Sequence, residues 1–131
     1  MDINERAEKA VHLKNSGQCN CAQAVCAALA DETGLSEEQM KQAAAGFGGG
    51  MGTMEATCGA LIGAGIVAGL KSGGAGTVRY TRQLTLEFKE ACKAVTCKDL
   101  KSMHNGKVLC PCDECVRRAV LAYGKVMGVQ A

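Results

Sequence analysis

The chain carries nine cysteines in 131 residues, and thiols in such number are typical of metal binding or redox chemistry. The first residues, Met1-Asp2-Ile3-Asn4-Glu5-Arg6, are charged and lack the apolar stretch of an export signal, so we expect a cytoplasmic protein. The cytosol keeps thiols reduced, and an odd number of cysteines cannot all pair within one chain. The composition therefore indicates thiolates that bind metal or exchange electrons, rather than a disulfide framework.

Three cysteines each follow a residue type that caps helices at their N-termini. Cys21 follows an Asn, whereas Cys58 and Cys97 each follow a Thr, and all three are predicted to open a helix. A thiol in the first turn lies near free backbone N–H groups and the positive end of the helix dipole, which favour the thiolate. If these helix ends converge, the three cysteines form one electropositive pocket.

The densest group of cysteines is the segment CPCDEC at residues 110–115. At the start of a helix, Cys112 and Cys115 are three residues apart and lie on one face, so they can bind one metal or form a redox pair. Cys110 is close to both along the chain. Cys26 and Cys92 instead lie on apolar helix stripes and are predicted to pack in the core. The spacing does not fix which cysteines group together.

Charge and composition exclude two other classes of protein. The net charge is only +2, and the aromatic residues are two Tyr and two Phe with no Trp, so a nucleic-acid surface is not expected. The longest apolar run, at residues 58–70, is rich in glycine and too short to span a bilayer. We therefore expect neither a nucleic-acid partner nor a membrane span.

Apolar residues recur every three to four positions and proline occurs once, which predicts one all-α domain over residues 1–131, a compact bundle of about five to seven helices with a glycine-rich loop. The first two helices are predicted at 4–16 and 21–33. The third begins at 36 and ends at the glycine-rich loop of 46–52, the fourth covers 57–71, and the fifth includes 84–95. The last two begin at 96 and at 111. The fifth should bury Leu84, Phe88, Ala91, Cys92 and Val95.

The predicted helix at 57–71 carries two glycine pairs at four-residue spacing. They are Gly59 with Gly63 and Gly65 with Gly69, and each glycine costs about 1 kcal/mol relative to Ala in a helix interior. We expect compensation from the close approach of another backbone, either within the monomer or across a dimer axis.

In order along the chain, several short segments resemble one protein family. They read NCAQAV at 20–25, GFGGGMG at 46–52, TCGALIGA at 57–64, FK at 88–89, TCKDL at 96–100 and CVRRA at 115–119. Over residues 16–123 the chain resembles the putative redox-active proteins whose signature is written C…GCAxxG…C…C. The central element departs from the written order, because here the cysteine precedes the glycine in Cys58-Gly59.

The resemblance places the four signature cysteines on Cys21, Cys58, Cys97 and Cys115. It implies a helical, cytoplasmic homodimer of anaerobic or redox metabolism, and a similarity to a domain of split-Soret cytochromes. Covalent haem is not expected, because the chain has no C-x-x-C-H attachment sequence.

Three hypotheses follow for the function. The first is an electron-transfer protein with an iron–sulfur cluster on the four signature cysteines, and with Cys110 and Cys112 as alternates or as ligands of a second site. The second is a metal-free thiol–disulfide redox protein in which Cys58 or Cys97 attacks. The third is a structural zinc module that binds a partner protein. None of the three identifies the redox partner or a catalytic residue.

Overall fold

The computed structural model describes residues 1–129, and this part of the chain forms seven α-helices and one small hairpin. The helices are α1 (Ile3–Asn15), α2 (Cys21–Ala28), α3 (Glu37–Ala44), α4 (Gly59–Lys71), α5 (Thr77–Cys92), α6 (Cys97–Leu100) and α7 (Cys112–Met127). The hairpin pairs β1 (Met103–His104) with β2 (Lys107–Val108). The prediction of a compact all-α fold is confirmed, and the hairpin is an addition to it.

Helix starts follow the capping residues closely. Asp2, Asn20 and Ser36 each cap a helix in a reciprocal capping box, in which the third helical residue bonds back to the cap. The second helix is shorter than predicted, because it ends at Ala28 and a 3-10 turn at Ala30–Glu32 follows. The fifth ends at Cys92, because Lys93 adopts a left-handed conformation with φ 75°. Val95 is therefore outside the helix, and Ala91 is exposed rather than buried.

Helix α2 is the centre of the molecule and packs against α1, α3, α4 and α7. Two glycines of α4 allow a close backbone approach. A Cβ on Gly59 would lie 2.6 Å from the Phe47 carbonyl oxygen, and one on Gly63 would lie 2.9 Å from the carbonyl oxygen of Ala22 in α2. The expected backbone approach is confirmed for this pair, and it occurs within one chain. At Gly65 and Gly69 the nearest neighbours are threonine methyl groups at ordinary distances.

Large side chains fill the space between the helices, and α7 packs along α1, α4 and α5. Phe88, Leu84, Leu29 and Tyr123 are completely buried. Among the helices of residues 1–129, none combines the length and apolar character needed to cross a membrane.

Candidate functional site

A cavity of about 190 Å³ lies where several helix N-termini meet. This is several times the roughly 30 Å³ share of one water molecule, so the cavity has room for a small inorganic group. Its cysteines come from four separate segments of the chain and are Cys21, Cys58, Cys97 and Cys112. We call these four residues the cavity thiols. The predicted convergence of the three helix-start cysteines is confirmed.

Each cavity thiol is placed by a helix terminus. Cys21 is the first residue of α2, Cys112 is the first residue of α7, and Cys97 begins the short α6. Cys58 is itself the N-cap of α4, which corrects the expectation that Thr57 would be the cap and Cys58 the first helical residue. The dipoles of α2, α4 and α7 therefore all direct positive charge toward the cavity.

A short backbone bridge holds Cys58 and Cys97 side by side. Thr57 pairs with Thr96 in an isolated antiparallel bridge. The Cys58 N–H donates to the Val95 carbonyl at 2.7 Å, and the Cys97 N–H donates to the Ala56 carbonyl at 3.0 Å. Two thiols almost forty residues apart in sequence are thus fixed next to each other by backbone hydrogen bonds.

The glycine-rich loop forms another wall of the cavity. Gly49 lines it, and Gly50 packs so closely on Cys97 that a Cβ at that glycine would lie 2.7 Å from the Cys97 Cβ. Gly50 also has a φ of 60°, a left-handed conformation that favours glycine. Close approach and backbone conformation together explain why this loop is made of glycine.

Positive charge surrounds the cavity thiols. Lys14 and Lys101 line the cavity, and within the described residues no carboxylate does so. The Cys21 thiol donates a hydrogen bond to the Cys112 sulfur, which together with Lys101 lowers the pKa of Cys112 to about 5. The same bond raises the pKa of Cys21, since it stabilises the protonated donor.

The pKa of Cys58 falls to about 7. The main cause is the hydrogen-bond contact with the Cys115 side chain, and the backbone N–H groups of Ala60 and Leu61, in the first turn of α4, add to it. Burial raises the pKa of Cys97, although Lys101 opposes this effect. The surroundings of Cys112 and Cys58 therefore favour the thiolate form.

Behind the cavity lies a second group of thiols, which we call the buried trio: Cys92, Cys110 and Cys115. Their sulfur atoms all lie within 4.8 Å of one another. Cys92 is the last residue of α5, Cys115 lies in the first turn of α7, and the hairpin returns the chain so that the Cys110 N–H donates to the Leu100 carbonyl at 2.9 Å. None of the three residues is more than 1% exposed.

Two cations lie beside the buried trio. An Arg118 guanidinium nitrogen is 3.8 Å from the Cys110 sulfur, and the Lys101 ammonium is 3.7 Å from that of Cys115. Contacts with the Cys115 and Cys92 side chains, helped by both cations, hold the pKa of Cys110 far below its ordinary value. Burial by itself lowers the pKa of Lys101, but the neighbouring side chains of Cys115 and Cys112 raise it overall, so its charge is retained.

The sequence-predicted ligands are thus divided between the two groups. Cys21, Cys58 and Cys97 line the cavity, where Cys112 is the fourth thiol, whereas Cys115 lies in the buried trio with Cys110. Their roles as ligands stay predictions. Sequence reasoning assigned Cys92 to the core, and its burial agrees, but its contact with two other thiols was missed because an apolar stripe carries no sign of tertiary neighbours.

The remaining cysteines are separate from both groups. The Cys26 thiol donates to the Gly63 carbonyl at 3.4 Å, and burial raises its pKa to about 12. Burial also raises the pKa of Cys19, whose charged neighbours are Lys41 and Glu37. In the described part of the chain no two of the nine cysteines form a disulfide.

A larger groove of about 530 Å³ runs between α4 and α5, and its walls include Leu61, Ile66 and Leu84. Among the residues that the structure describes, no cysteine, histidine or carboxylate lines it. Within the described residues, this groove therefore offers no side chain that typically binds metal or exchanges electrons.

The model of one protein family matches residues 19–126, which is most of the chain. The family is described as "Putative redox-active protein (C_GCAxxG_C_C)". No curated protein and no solved structure matches the chain significantly. The match includes all nine cysteines, and therefore both the cavity and the buried trio.

Proposed function

Because the chain belongs to the putative redox-active protein family, we propose that it transfers electrons through an iron–sulfur cluster held by the cavity thiols. One observation supports the proposal above all others: thiols from four segments line one cavity together with two lysines. Among the residues that the structure describes, no carboxylate lines it. A bound cluster would supply reversible one-electron chemistry at this position. The family match adds the redox class but not the cofactor.

The residues around the cavity suit a negatively charged thiolate-bound group. Cys58 and Cys112 have lowered pKa values of about 7 and about 5, so they are ready to act as ligands near neutral pH. Lys14, Lys101 and the N-termini of the long helices offset negative charge. Gly49 of the glycine-rich loop and Asn20 also line the cavity, and restricted solvent access would tune the reduction potential of a bound cluster.

The fourth ligand is the point on which structure and sequence reasoning differ. We propose Cys112, because its side chain lines the cavity with Cys21, Cys58 and Cys97. The family signature instead points to Cys115, which contacts Cys58 from the side of the buried trio. Serine variants of the two cysteines separate these ligand sets.

The test is anaerobic purification of the full chain, followed by iron and acid-labile sulfide analysis and electron paramagnetic resonance of the reduced protein. We expect both elements in wild type and in Cys26→Ser, a matched control at a buried cysteine away from the other thiols. Cys112→Ser should lose most of the iron and Cys115→Ser should retain it; the reverse result would move the fourth ligand to Cys115. Wild-type protein with neither iron nor sulfide would overturn the proposal, and so would zinc at full occupancy without a redox response.

A specific contact favours a second candidate, metal-free thiol–disulfide exchange. The Cys21 thiol is hydrogen-bonded to the Cys112 sulfur, which is a thiolate at neutral pH. Cys112 would attack a disulfide substrate and release one thiolate, and the Cys21 thiol would then lose its proton and displace the second. Two substrate sulfurs are reduced as Cys21 and Cys112 are oxidised to one disulfide.

This candidate is tested with metal-free reduced protein and a small aromatic disulfide whose released thiol is coloured. Two thiols released per chain, together with a Cys21–Cys112 disulfide in peptide mapping, would support it. Cys21→Ser should stop at the mixed disulfide on Cys112 and release one thiol. Release that is equally fast from Cys112→Ser would exclude this pair.

The homodimer and the cytoplasmic location stay predictions, and the redox partner is to be found by experiment. Sedimentation equilibrium of the anaerobically prepared protein tests the dimer.

A further inference from the structure

We propose that the buried trio of Cys92, Cys110 and Cys115 is a second metal site, separate from the cavity, which takes the soft monovalent cation Cu(I). The three sulfurs lie within 4.8 Å of one another and come from three segments of the chain. The proposal needs none of the cavity thiols and therefore does not depend on the proposed cluster.

The spacing of the sulfurs suits a trigonal metal ion. A metal about 2.3 Å from each of three sulfurs in one plane holds those sulfurs about 4 Å apart. The observed limit of 4.8 Å is close to this value, so only small side-chain movements are required. The backbone is already fixed, because the Cys110 N–H donates to Leu100 and the Cys115 N–H donates to Pro111, both at 2.9 Å.

The number of ligands argues for copper over zinc. Structural zinc takes four ligands in a tetrahedron, whereas the buried trio offers three. Each of its cysteines is at most 1% exposed, so a water molecule is a poor fourth ligand. Cys58 is the nearest additional thiol, but it faces the cavity. Soft thiolates favour Cu(I), which is stable with three such ligands.

The charge around the buried trio also suits a Cu(I) site. Three thiolates and one Cu(I) carry a net charge of −2, and two cations lie beside the sulfurs: Arg118, 3.8 Å from that of Cys110, and Lys101, 3.7 Å from that of Cys115. Both cations would offset this charge, and Lys101 is shared between the buried trio and Cys112 of the cavity.

The test uses the full chain, reduced, free of metal and under anaerobic conditions. The cavity thiols also have affinity for soft metals, so all four are first removed in a variant with Cys21→Ser, Cys58→Ser, Cys97→Ser and Cys112→Ser. This cavity variant is titrated with Cu(I) against a coloured Cu(I) chelator, and the bound metal is examined by X-ray absorption. We expect one Cu(I) per chain with three sulfur neighbours.

Adding Cys110→Ser to the cavity variant should weaken Cu(I) binding at least a hundredfold, whereas adding Cys26→Ser should leave it unchanged. Equal Cu(I) binding by these two variants would overturn the proposal. So would the finding of only two sulfur neighbours at the metal, or tighter binding of Zn²⁺ than of Cu(I) by the cavity variant. Iron analysis of the Cys110→Ser single variant distinguishes this site from the cluster, since iron should be retained there.

A second measurement covers the case in which the Cys110→Ser variant does not fold, as judged by circular dichroism. The cavity variant is denatured briefly with and without Cu(I) and alkylated at once, and each cysteine is quantified by peptide mass spectrometry. Cu(I) should protect Cys92, Cys110 and Cys115 but not Cys26. Equal labelling of all four would overturn the proposal.

Discussion

The Cys115 and Cys58 side chains are in hydrogen-bond contact, and this contact joins the buried trio to the cavity thiols. Cys58 is the N-cap of α4 and Cys115 lies in the first turn of α7, so the contact connects the starts of two long helices. Loss or oxidation of the Cys115 thiol removes the main cause of the lowered pKa of Cys58. The two groups of thiols are therefore electrostatically coupled even where they bind different species.

The first prediction concerns the reactivity of the thiols in reduced, metal-free protein. The pKa of Cys112 is lowered to about 5 and that of Cys58 to about 7, so each thiolate is present above that pH and is lost as the pH falls through it. Alkylation rates measured by peptide mass spectrometry from pH 4 to pH 9 should show these two midpoints. Cys26, with a pKa raised to about 12, should stay nearly unreactive. A common midpoint near 8.5 for all three would contradict the prediction.

The second prediction concerns Lys101, whose ammonium group donates to the Cys110 carbonyl at 3.2 Å and lies beside thiols of both groups. Lys101→Met should raise the pKa of Cys112, because a neighbouring positive charge is lost while burial is kept. At pH 6 we expect alkylation of Cys112 to slow by about tenfold, which corresponds to a rise of roughly two units in its pKa. Lys98→Met, at an exposed lysine of α6 three residues before Lys101, is the control and should leave the rate unchanged. Equal rates in both variants would show that Lys101 is too well screened to matter.

Much of the architecture could be predicted from local signals. The capping residues Asn20 and Ser36 lie where a helix start needs them, and the glycines at 59 and 63 indicated a close backbone approach. Each of these signals acts within a few residues or through the absence of a side chain. The same signals marked Cys21, Cys58 and Cys97 as helix-start cysteines, but their meeting at one cavity depends on how the helices pack.

The grouping of the cysteines could not be predicted in the same way. Cys112 rather than Cys115 lines the cavity because Pro111 and the hairpin before it set where α7 begins. A hairpin whose strands have only two residues each has little sequence signal. The contact of Cys92 with Cys110 depends on how α5 ends against α7, which is a matter of tertiary packing. A thiol on an apolar stripe has the same sequence pattern whether it meets a leucine or another thiol.

The third prediction compares two glycines of α4. A Cβ on Gly63 would lie 2.9 Å from the Ala22 carbonyl oxygen, so Gly63→Ala should force the helices apart and destabilise the protein by about 2 kcal/mol. At Gly65 the nearest atom is the Thr81 methyl at 3.5 Å, so Gly65→Ala should be neutral or stabilise by up to about 1 kcal/mol. Urea unfolding of the reduced proteins measures both free energies. Equal effects would mean that helix propensity, rather than the α2–α4 contact, determines the result.

The fourth prediction compares a buried ion pair with an exposed one. Arg6 is 7% exposed, and its guanidinium lies 2.9 Å from the Asp31 carboxylate and 3.4 Å from that of Glu32. The Glu32 carboxylate also accepts a hydrogen bond from the Tyr123 hydroxyl at 3.1 Å. Arg6→Ala leaves the largely buried Glu32 carboxylate without its nearest cation and should cost about 3 kcal/mol of unfolding free energy. Lys9→Ala removes an ion pair with Glu37 whose two side chains are 35% and 52% exposed, so we expect a loss of about 0.5 kcal/mol. Urea unfolding at pH 7 measures both losses of unfolding free energy. If Arg6→Ala loses no more than Lys9→Ala, solvent reaches the Glu32 carboxylate once the arginine is gone.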